Sequence, residues 1–419
     1  MRLLHVTAHL GGGVGKVLSR LVEASARRND GITHTIACLE PLEKTGFADH
    51  ARAHGATVLV TPDDTTLDAA VRDADIVQLE WWHHPVVAGW MGRADLPPMR
   101  LVVWAHVSGN GSPTIPAGFL RLPHRFLFSS TCSSEFVDLP PLADLASGRI
   151  ATVFSAGGFD DLPPPPARSA DAPLRFGYLG TLDYAKLHPH VLDFIAAVRD
   201  PDFVLHLHGD AADAASLMAE ARARGLDQRL ALHGYATDVG GTLCTLDVMP
   251  YLLNQAHYGT AENALLEAMA MGVVPIVLGN PAECALVTHE HTGLVISTPD
   301  DFAAALRRLT DDGTLRQRLS AQAASEVRDR FDIKRTADAL MTHYRAILTE
   351  DRRPIDFRPV FGATAADWFL ACQPGIAQTE PPAVPASQTR NKGSVFHYAR
   401  TFPDDRRLAQ MAQQFEACA

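Results

Sequence analysis

The chain has 419 residues, room for two domains and at most three at roughly 100–200 residues each. Hydrophobic residues make up 47% and charged residues 20%, which excludes a disordered chain. The net charge of −11 argues against a nucleic-acid binder held by phosphate contacts.

The N-terminus, MRLLHVTAHLGGG, has a short apolar run interrupted by His5 and His9 and ending in glycines. It reads as a buried first strand rather than a signal peptide. Strand-like runs follow at 35–39, 57–60, 76–81, 101–105 and 126–129, with a helical stretch at 17–28. Continuous apolar runs separated by helices are the pattern of a parallel sheet covered on both faces. The longest stretch without an ionised side chain, 101–120, is broken by Gly109, Gly111, Pro113 and Pro116, so it is no transmembrane helix.

Residues 160–173 (DDLPPPPARSADAP) break the pattern, because proline lacks an amide donor. The pattern then restarts, with strands expected at 175–179, 203–208, 230–233, 247–253, 274–278 and 294–296. Helices are expected at 189–198, 211–224 and 263–271, and surface helices over 299–344. The expected fold class is α/β: two Rossmann-like, doubly wound parallel-sheet domains facing a cleft, spanning 1–160 and 174–350 and joined by a linker at 161–173. Residues 351–419 form an extension with a flexible Pro/Ala/Gln/Thr linker at 373–392. A short amphipathic helix follows, carrying Leu408, Met411 and Phe415 on one side. Packing on its own domain is the first reading of that helix, and a partner or peripheral membrane contact is the second. The six cysteines are scattered without CxxC spacing, which points to free thiols, a cytoplasmic location and no zinc site.

Three segments carry chemistry. The loop Gly11-Gly12-Gly13-Val14-Gly15-Lys16 lies between strand and helix, where glycines admit a ligand and the helix N-terminus attracts negative charge. It is not a nucleotide-triphosphatase P-loop, because Leu10 stands where the first Gly is required and Val17 where Ser or Thr is. In RFGYLGTLDYAK, Lys186 follows a strand and turn and suits an anion such as a diphosphate. In HYGTAENALLEAMAMGVVPIV, Glu262 and Asn263 open a helix whose amides suit phosphate, while Glu267, a turn further in, can accept hydrogen bonds from ribose or sugar hydroxyls.

Taken together these motifs resemble the GT-B-fold retaining glycosyltransferases of family 4. The residues that carry the resemblance are the glycine turn, SAGGFD before the linker, GTLDYAK, LEAMAMGVVPIV, and Glu283 and Val287 with HTGLVI, over residues 1–350. The resemblance implies transfer of a sugar from a UDP- or GDP-type nucleotide-diphosphate sugar to a hydroxyl, with retention by front-face attack and no metal or other cofactor. It implies that Lys186 contacts the diphosphate, that Glu267 holds the ribose, and that Gly12 and Gly13 lie near the donor. It also implies that His106 sits by the anomeric carbon. The sequence departs from the family at Thr181 (for an arginine), at Leu187 (for a glycine) and at Gly259, where the first glutamate of E-x7-E belongs. Glu262 is a nearby substitute at the wrong spacing, and an insertion near 252–258 reshapes the donor-sugar pocket. These departures motivate a rival reading, a degenerate GT-B protein that binds without transferring.

The acceptor is expected to be a sugar, a lipid-linked glycan or another hydroxyl compound. Trp81, Trp82, His83 and His84 follow a strand and read either as a stacking platform for that acceptor or as core beneath a loop.

Overall fold

The first six apolar runs each become a strand of one parallel sheet: β1 (Arg2–Thr7), β2 (Thr33–Cys38), β3 (Thr57–Val60), β4 (Ile76–Trp81), β5 (Leu101–Ala105) and β6 (Arg125–Phe128). The computed structural model describes residues 1–136, 148–168, 172–212, 214–373 and 393–418. A seventh strand, β7 (Ile150–Thr152), was not anticipated, because its three half-buried residues make no apolar run. The order is β3-β2-β1-β4-β5-β6-β7, so the winding reverses between β1 and β4. A second sheet holds β8 (Phe176–Leu179), β9 (Leu205–His208), β10 (Leu230–Gly234), β11 (Val248–Tyr251), β12 (Val274–Leu278) and β13 (Leu294–Ile296). Its order, β10-β9-β8-β11-β12-β13, reverses between β8 and β11. In such sheets ligands bind beyond the carboxyl ends of the strands at the reversal.

The chain forms two compact units. Unit 1 is Met1–Gly157, Tyr258–Ala261 and Ile333–Ala419, and unit 2 is Gly158–His257 and Glu262–Asp332. These limits differ from the expected ones. Part of the proline stretch is fixed on unit 2, where the Arg168 guanidinium donates to the carbonyls of Leu246 (2.6 Å) and Met271 (2.7 Å). The chain returns to unit 1 at residue 333 rather than ending its second domain at 350. The helix Ile333–Ile347, expected on the surface, buries Leu340, Tyr344 and Ile347 against Leu3, Val17, Val102 and Trp104 on one face of the first sheet. Asp338 pairs with Arg28 at 2.7 Å beside it.

The opposite face packs on the helix Pro85–Met91 and on residues of the extension. There Trp368 stacks on Phe361 with centroids 4.4 Å apart, and Tyr398 is 1% exposed. The last helix, Arg406–Cys418, turns Leu408, Met411 and Phe415 into the same core, so unit 1 covers its apolar side. Each such burial contributes roughly 1.5–3 kcal/mol. The expected linker 373–392 lies, apart from Gln373, outside the described residues.

Candidate functional site

In unit 2 the loops after β8 and β11 bring Lys186 and Glu262 together. The Lys186 backbone is fixed by its N–H donating to Asp183 Oδ1 at 3.0 Å. Its Nζ donates to both carboxylate oxygens of Glu262, at 2.6 and 2.7 Å. Tyr251 OH donates to Glu262 Oε2 at 2.6 Å, and His257 Nδ1 lies 3.8 Å from Oε1. Burial pushes the Glu262 carboxyl up, but the charges of Lys186 and His257, with the hydrogen bonds from Lys186 and Tyr251, bring it below its ordinary value. Glu262 adopts a left-handed backbone (φ 34°), which aims its side chain back at Lys186 instead of along the helix it precedes. The substitute glutamate therefore reaches the lysine despite its spacing.

That helix, Asn263–Ala270, carries Asn263 at its start, and Glu267 is buried along it, as are Leu265, Leu266 and Met269. The expected insertion folds into unit 2 through Asn254 and His257, both buried. His257 Nε2 pairs with Glu283 at 2.9 Å, so Glu262, His257 and Glu283 form one chain of charge. Thr181, in the place of an arginine, supplies only its carbonyl, which accepts from Tyr178 OH at 2.9 Å.

In unit 1, β-strand alternation puts Gln78 and Glu80 of β4, His5 of β1, His34 of β2 and Trp104 of β5 on one face. His106 follows β5, and its main-chain N–H donates to the Trp81 carbonyl at 2.8 Å. Its Nε2 lies 2.7 Å from Glu80 Oε2, and its Nδ1 lies 3.0 Å from Ser155 Oγ. Glu80 Oε1 accepts from Gln78 Nε2 at 2.7 Å and faces His5 Nδ1 at 3.0 Å. Burial pushes the Glu80 carboxyl up, and its bonds and charges from His106 and His5 hold it below its ordinary value. Burial pushes His34, on the far side of His5, down to about 3. Sequence reasoning missed Glu80 and Ser155 as partners of His106. The available signal was a carboxylate inside the fully buried strand IVQLEW.

The glycine loop forms the first turn of the helix Gly12–Arg28, which thus starts five residues earlier than expected. Gly12 has φ +59°, and a Cβ on Gly15 would lie 2.5 Å from the Leu10 carbonyl. The stem of Lys16 runs against Gly157, where a Cβ would meet its Cγ at 2.7 Å, so the loop and SAGGFD pack on each other.

Of the proposed acceptor residues, Trp81, His83 and His84 are buried. Trp81 meets Phe119 edge-on at 5.3 Å, and His83 stacks on Tyr398 at 5.0 Å and pairs with its hydroxyl at 3.2 Å. His84 meets His397 edge-on at 4.7 Å. These three follow the core reading: Trp81 packs on Phe119, and helices of the extension cover His83 and His84. Trp82 keeps partial exposure, with His9 at 5.5 Å and His106 at 6.4 Å between ring centres.

Among the described residues two groups have three potential metal-ligand atoms within 4.8 Å: His9, Glu40 and His84, and Glu23, His50 and His54. In the first, the Gly11 N–H donates to His9 Nδ1 at 3.0 Å, which places a neutral ring's own proton on Nε2. The nearby His397 is held the same way by the Gly393 N–H at 3.0 Å, with its Nε2 3.9 Å from Glu40. Both rings thus turn N–H groups, rather than lone pairs, outward, and a metal needs lone pairs. In the second, Glu23 already pairs with Arg20 (2.7 Å) and Arg27 (2.6 Å).

Comparison with known proteins gives these features a context. Residues 173–312 match the family model of glycosyl transferases group 1. Over 150 residues the chain is 32% identical to the lipopolysaccharide core biosynthesis glycosyltransferase LpsD of Rhizobium meliloti (strain 1021), covering 35% of this chain and 43% of that protein. It is also 32% identical over 91 residues to the glycosyltransferase 1 domain-containing protein 1 of Xenopus tropicalis, 22% of this chain and 26% of the relative. The matches span less than half the length of these curated relatives. Among solved structures, Anabaena Alr3699/HepE in complex with UDP and glucose matches with TM-score 0.65 and 15% identity, over 83% of this chain and all of that one (100%). A glycosyltransferase from Rickettsia africae ESF-5 matches with TM-score 0.64 and 12% identity, over 84% of this chain and 99% of that one. The fold is GT-B, with two Rossmann-like parallel-sheet domains, and residues 173–312 are similar to the group 1 glycosyl transferases.

Proposed function

We propose that the chain moves a sugar from a nucleotide-diphosphate sugar of the UDP or GDP type to an acceptor hydroxyl, with retention of configuration, in glycan biosynthesis. The observation that carries this reading is the Lys186–Glu262–Tyr251 arrangement at the start of the helix Asn263–Ala270, inside the segment that matches group 1 glycosyltransferases. A lysine ammonium has three donors, and Glu262 engages two. Donor binding brings a diphosphate of higher charge than a carboxylate to that ammonium and to the helix amides. Asn263 stands at those amides, and Glu267 takes the ribose hydroxyls. In unit 1, Gly12 and Gly13 line the loop, His106 serves the reacting carbon, and Trp82 offers its partly exposed ring to the acceptor sugar.

The departing diphosphate is stabilised by Lys186 and main-chain amides, which we propose suffices without a metal. The acceptor hydroxyl attacks the anomeric carbon on the face the diphosphate leaves, the C1–O bond to the diphosphate breaks, and the hydroxyl proton passes to the leaving oxygen. The complexes of Anabaena Alr3699/HepE with UDP and UDP-glucose support a donor of this class. The lipopolysaccharide core biosynthesis relative supports a glycan acceptor. Among the described residues no helix is long and apolar enough to cross a membrane.

A donor-hydrolysis and transfer screen with UDP- and GDP-sugars tests this reading, alongside Lys186→Ala and Glu267→Ala. Turnover that falls at least tenfold in both folded variants supports it, and turnover unchanged in both overturns it. The second reading, binding without transfer, is favoured by the full engagement of the Glu262 carboxylate with Lys186. It predicts nucleotide binding by calorimetry with no turnover of any donor.

A further inference from the structure

We propose that Glu80 is the positioning residue of His106: it keeps the proton of the neutral ring on Nε2 and directs the other nitrogen, Nδ1, at Ser155 Oγ. The inference rests on the reading above only in supposing that His106 works in transfer. The geometry itself lies within unit 1.

The orientation of every group follows from its donors. The Glu80 carboxylate can only accept, so the Gln78 amide turns its NH2 toward it, at 2.7 Å, and the Gln78 carbonyl oxygen accepts from Tyr344 OH at 2.5 Å. Glu80 is completely buried and held as the anion, and an ionised carboxylate only accepts. His106 must therefore donate from Nε2, at 2.7 Å, and His5 from Nδ1, at 3.0 Å. That leaves Nδ1 of His106 to face Ser155 Oγ, 3.0 Å away. Around the ring stand Glu80 from β4, Ser155 after β7, and the indoles of Trp104 and Trp82 at 4.9 and 6.4 Å. Behind Glu80 stand His5, His34 and Tyr344. Burial pushes His34 down to about 3, so it adds no charge behind Glu80.

The isosteric variant makes the idea testable. In Glu80→Gln the amide oxygen stays where Gln78 and His5 donate, so the new NH2 faces His106 Nε2 and donates to it. The neutral ring then switches to the Nδ1–H tautomer, and its cationic form loses its counter-charge, which lowers the ring pKa. Histidine-selective 15N NMR of the full chain, with His106→Gln identifying the signal, reads both effects. We expect the Nε2–H tautomer in the wild type and in Glu80→Asp, which keeps the charge. In Glu80→Gln we expect the Nδ1–H tautomer and a pKa lower by about one unit or more. In transfer assays Glu80→Gln should lose roughly 10–100-fold in kcat, by analogy with losses on removing partners that orient an imidazole. KM for the donor should stay within about twofold. The His106-dependent limb of the pH profile should move to lower pH, whichever protonation state turnover uses. An unchanged tautomer and pKa in a folded Glu80→Gln protein overturns the proposal, whether or not transfer is observed. A switched tautomer with unchanged kcat supports the positioning geometry and instead counts against the role of His106 in transfer.

Discussion

Replacing Lys186 with methionine keeps the aliphatic stem and removes the charge that faces Glu262. The Glu262 side chain is 4% exposed and retains only Tyr251 OH at 2.6 Å and His257 at 3.8 Å. Breaking a buried pair from one side costs about 3–5 kcal/mol, because a buried charge is left behind. With Lys186 17% exposed we expect the lower end, about 3 kcal/mol, or a melting shift near 6–12 °C for a unit of this size. Differential scanning calorimetry of the full chain measures the shift. All five tryptophans lie in unit 1, so tryptophan fluorescence provides the control that unit 1 melts as before. In Lys186→Met/Glu262→Gln no charge is stranded, and stability should return to within about 1 kcal/mol of wild type. The pH dependence has a definite sign. The depressed carboxyl of the wild type contributes stability above its unfolded value near 4.5 and loses it as the pH falls through the folded value. Without Lys186, burial pushes that carboxyl up, so the deficit of Lys186→Met should shrink as the pH falls into the carboxylate range. A Lys186→Met protein that melts with wild type, or a double variant as unstable as the single one, refutes the coupling.

Further outcomes follow from the packing of unit 1. Gly15→Ala places a Cβ 2.5 Å from the Leu10 carbonyl and 2.9 Å from Phe47, and should cost about 1–3 kcal/mol. Gly46→Ala, with nothing within 4 Å, should be neutral or slightly stabilising in the same denaturation assay. Leu408→Ala, at a fully buried position of the last helix, should cost about 2–5 kcal/mol and speed proteolysis of the extension. His34 and His83 are both pushed down to about 3 by burial, so the unfolded chain binds their protons first. Unit 1 should therefore lose up to about 1.4 kcal/mol per pH unit for each as pH falls from 6.5 toward 3. Urea titrations should show that slope lowered in His34→Leu by up to about 1.4 kcal/mol per pH unit.

Most strands could be read from the sequence because a parallel sheet covered on both faces needs uninterrupted apolar runs, and β3, β4, β5, β12 and β13 begin and end where those runs do. The strand β7 escaped because three half-buried residues carry no period. The helix Ile333–Ile347 was expected on the surface because of its mixed charge, yet its buried positions, Ile333, Ala337, Leu340, Tyr344 and Ile347, keep helical spacing. Which unit it covers depends on partners far along the chain, and no local pattern encodes that. The site was legible unevenly for the same reason. Lys186 and Glu267 sit in motifs with fixed spacing. Glu262 reaches Lys186 only through a left-handed residue, and Glu80 meets His106 only through strand order. The buried state of His83 and His84 depends on the extension folding back over them, more than 300 residues later.

The most direct test of the account is a crystal structure of the chain with UDP and one with GDP. We predict that one nucleotide binds in unit 2 with its diphosphate within hydrogen-bond distance of Lys186 Nζ and of the amides at Asn263, and with ribose hydroxyls on Glu267. A nucleotide bound elsewhere, or one bound while Lys186 stays closed on Glu262 and away from the diphosphate, would contradict it.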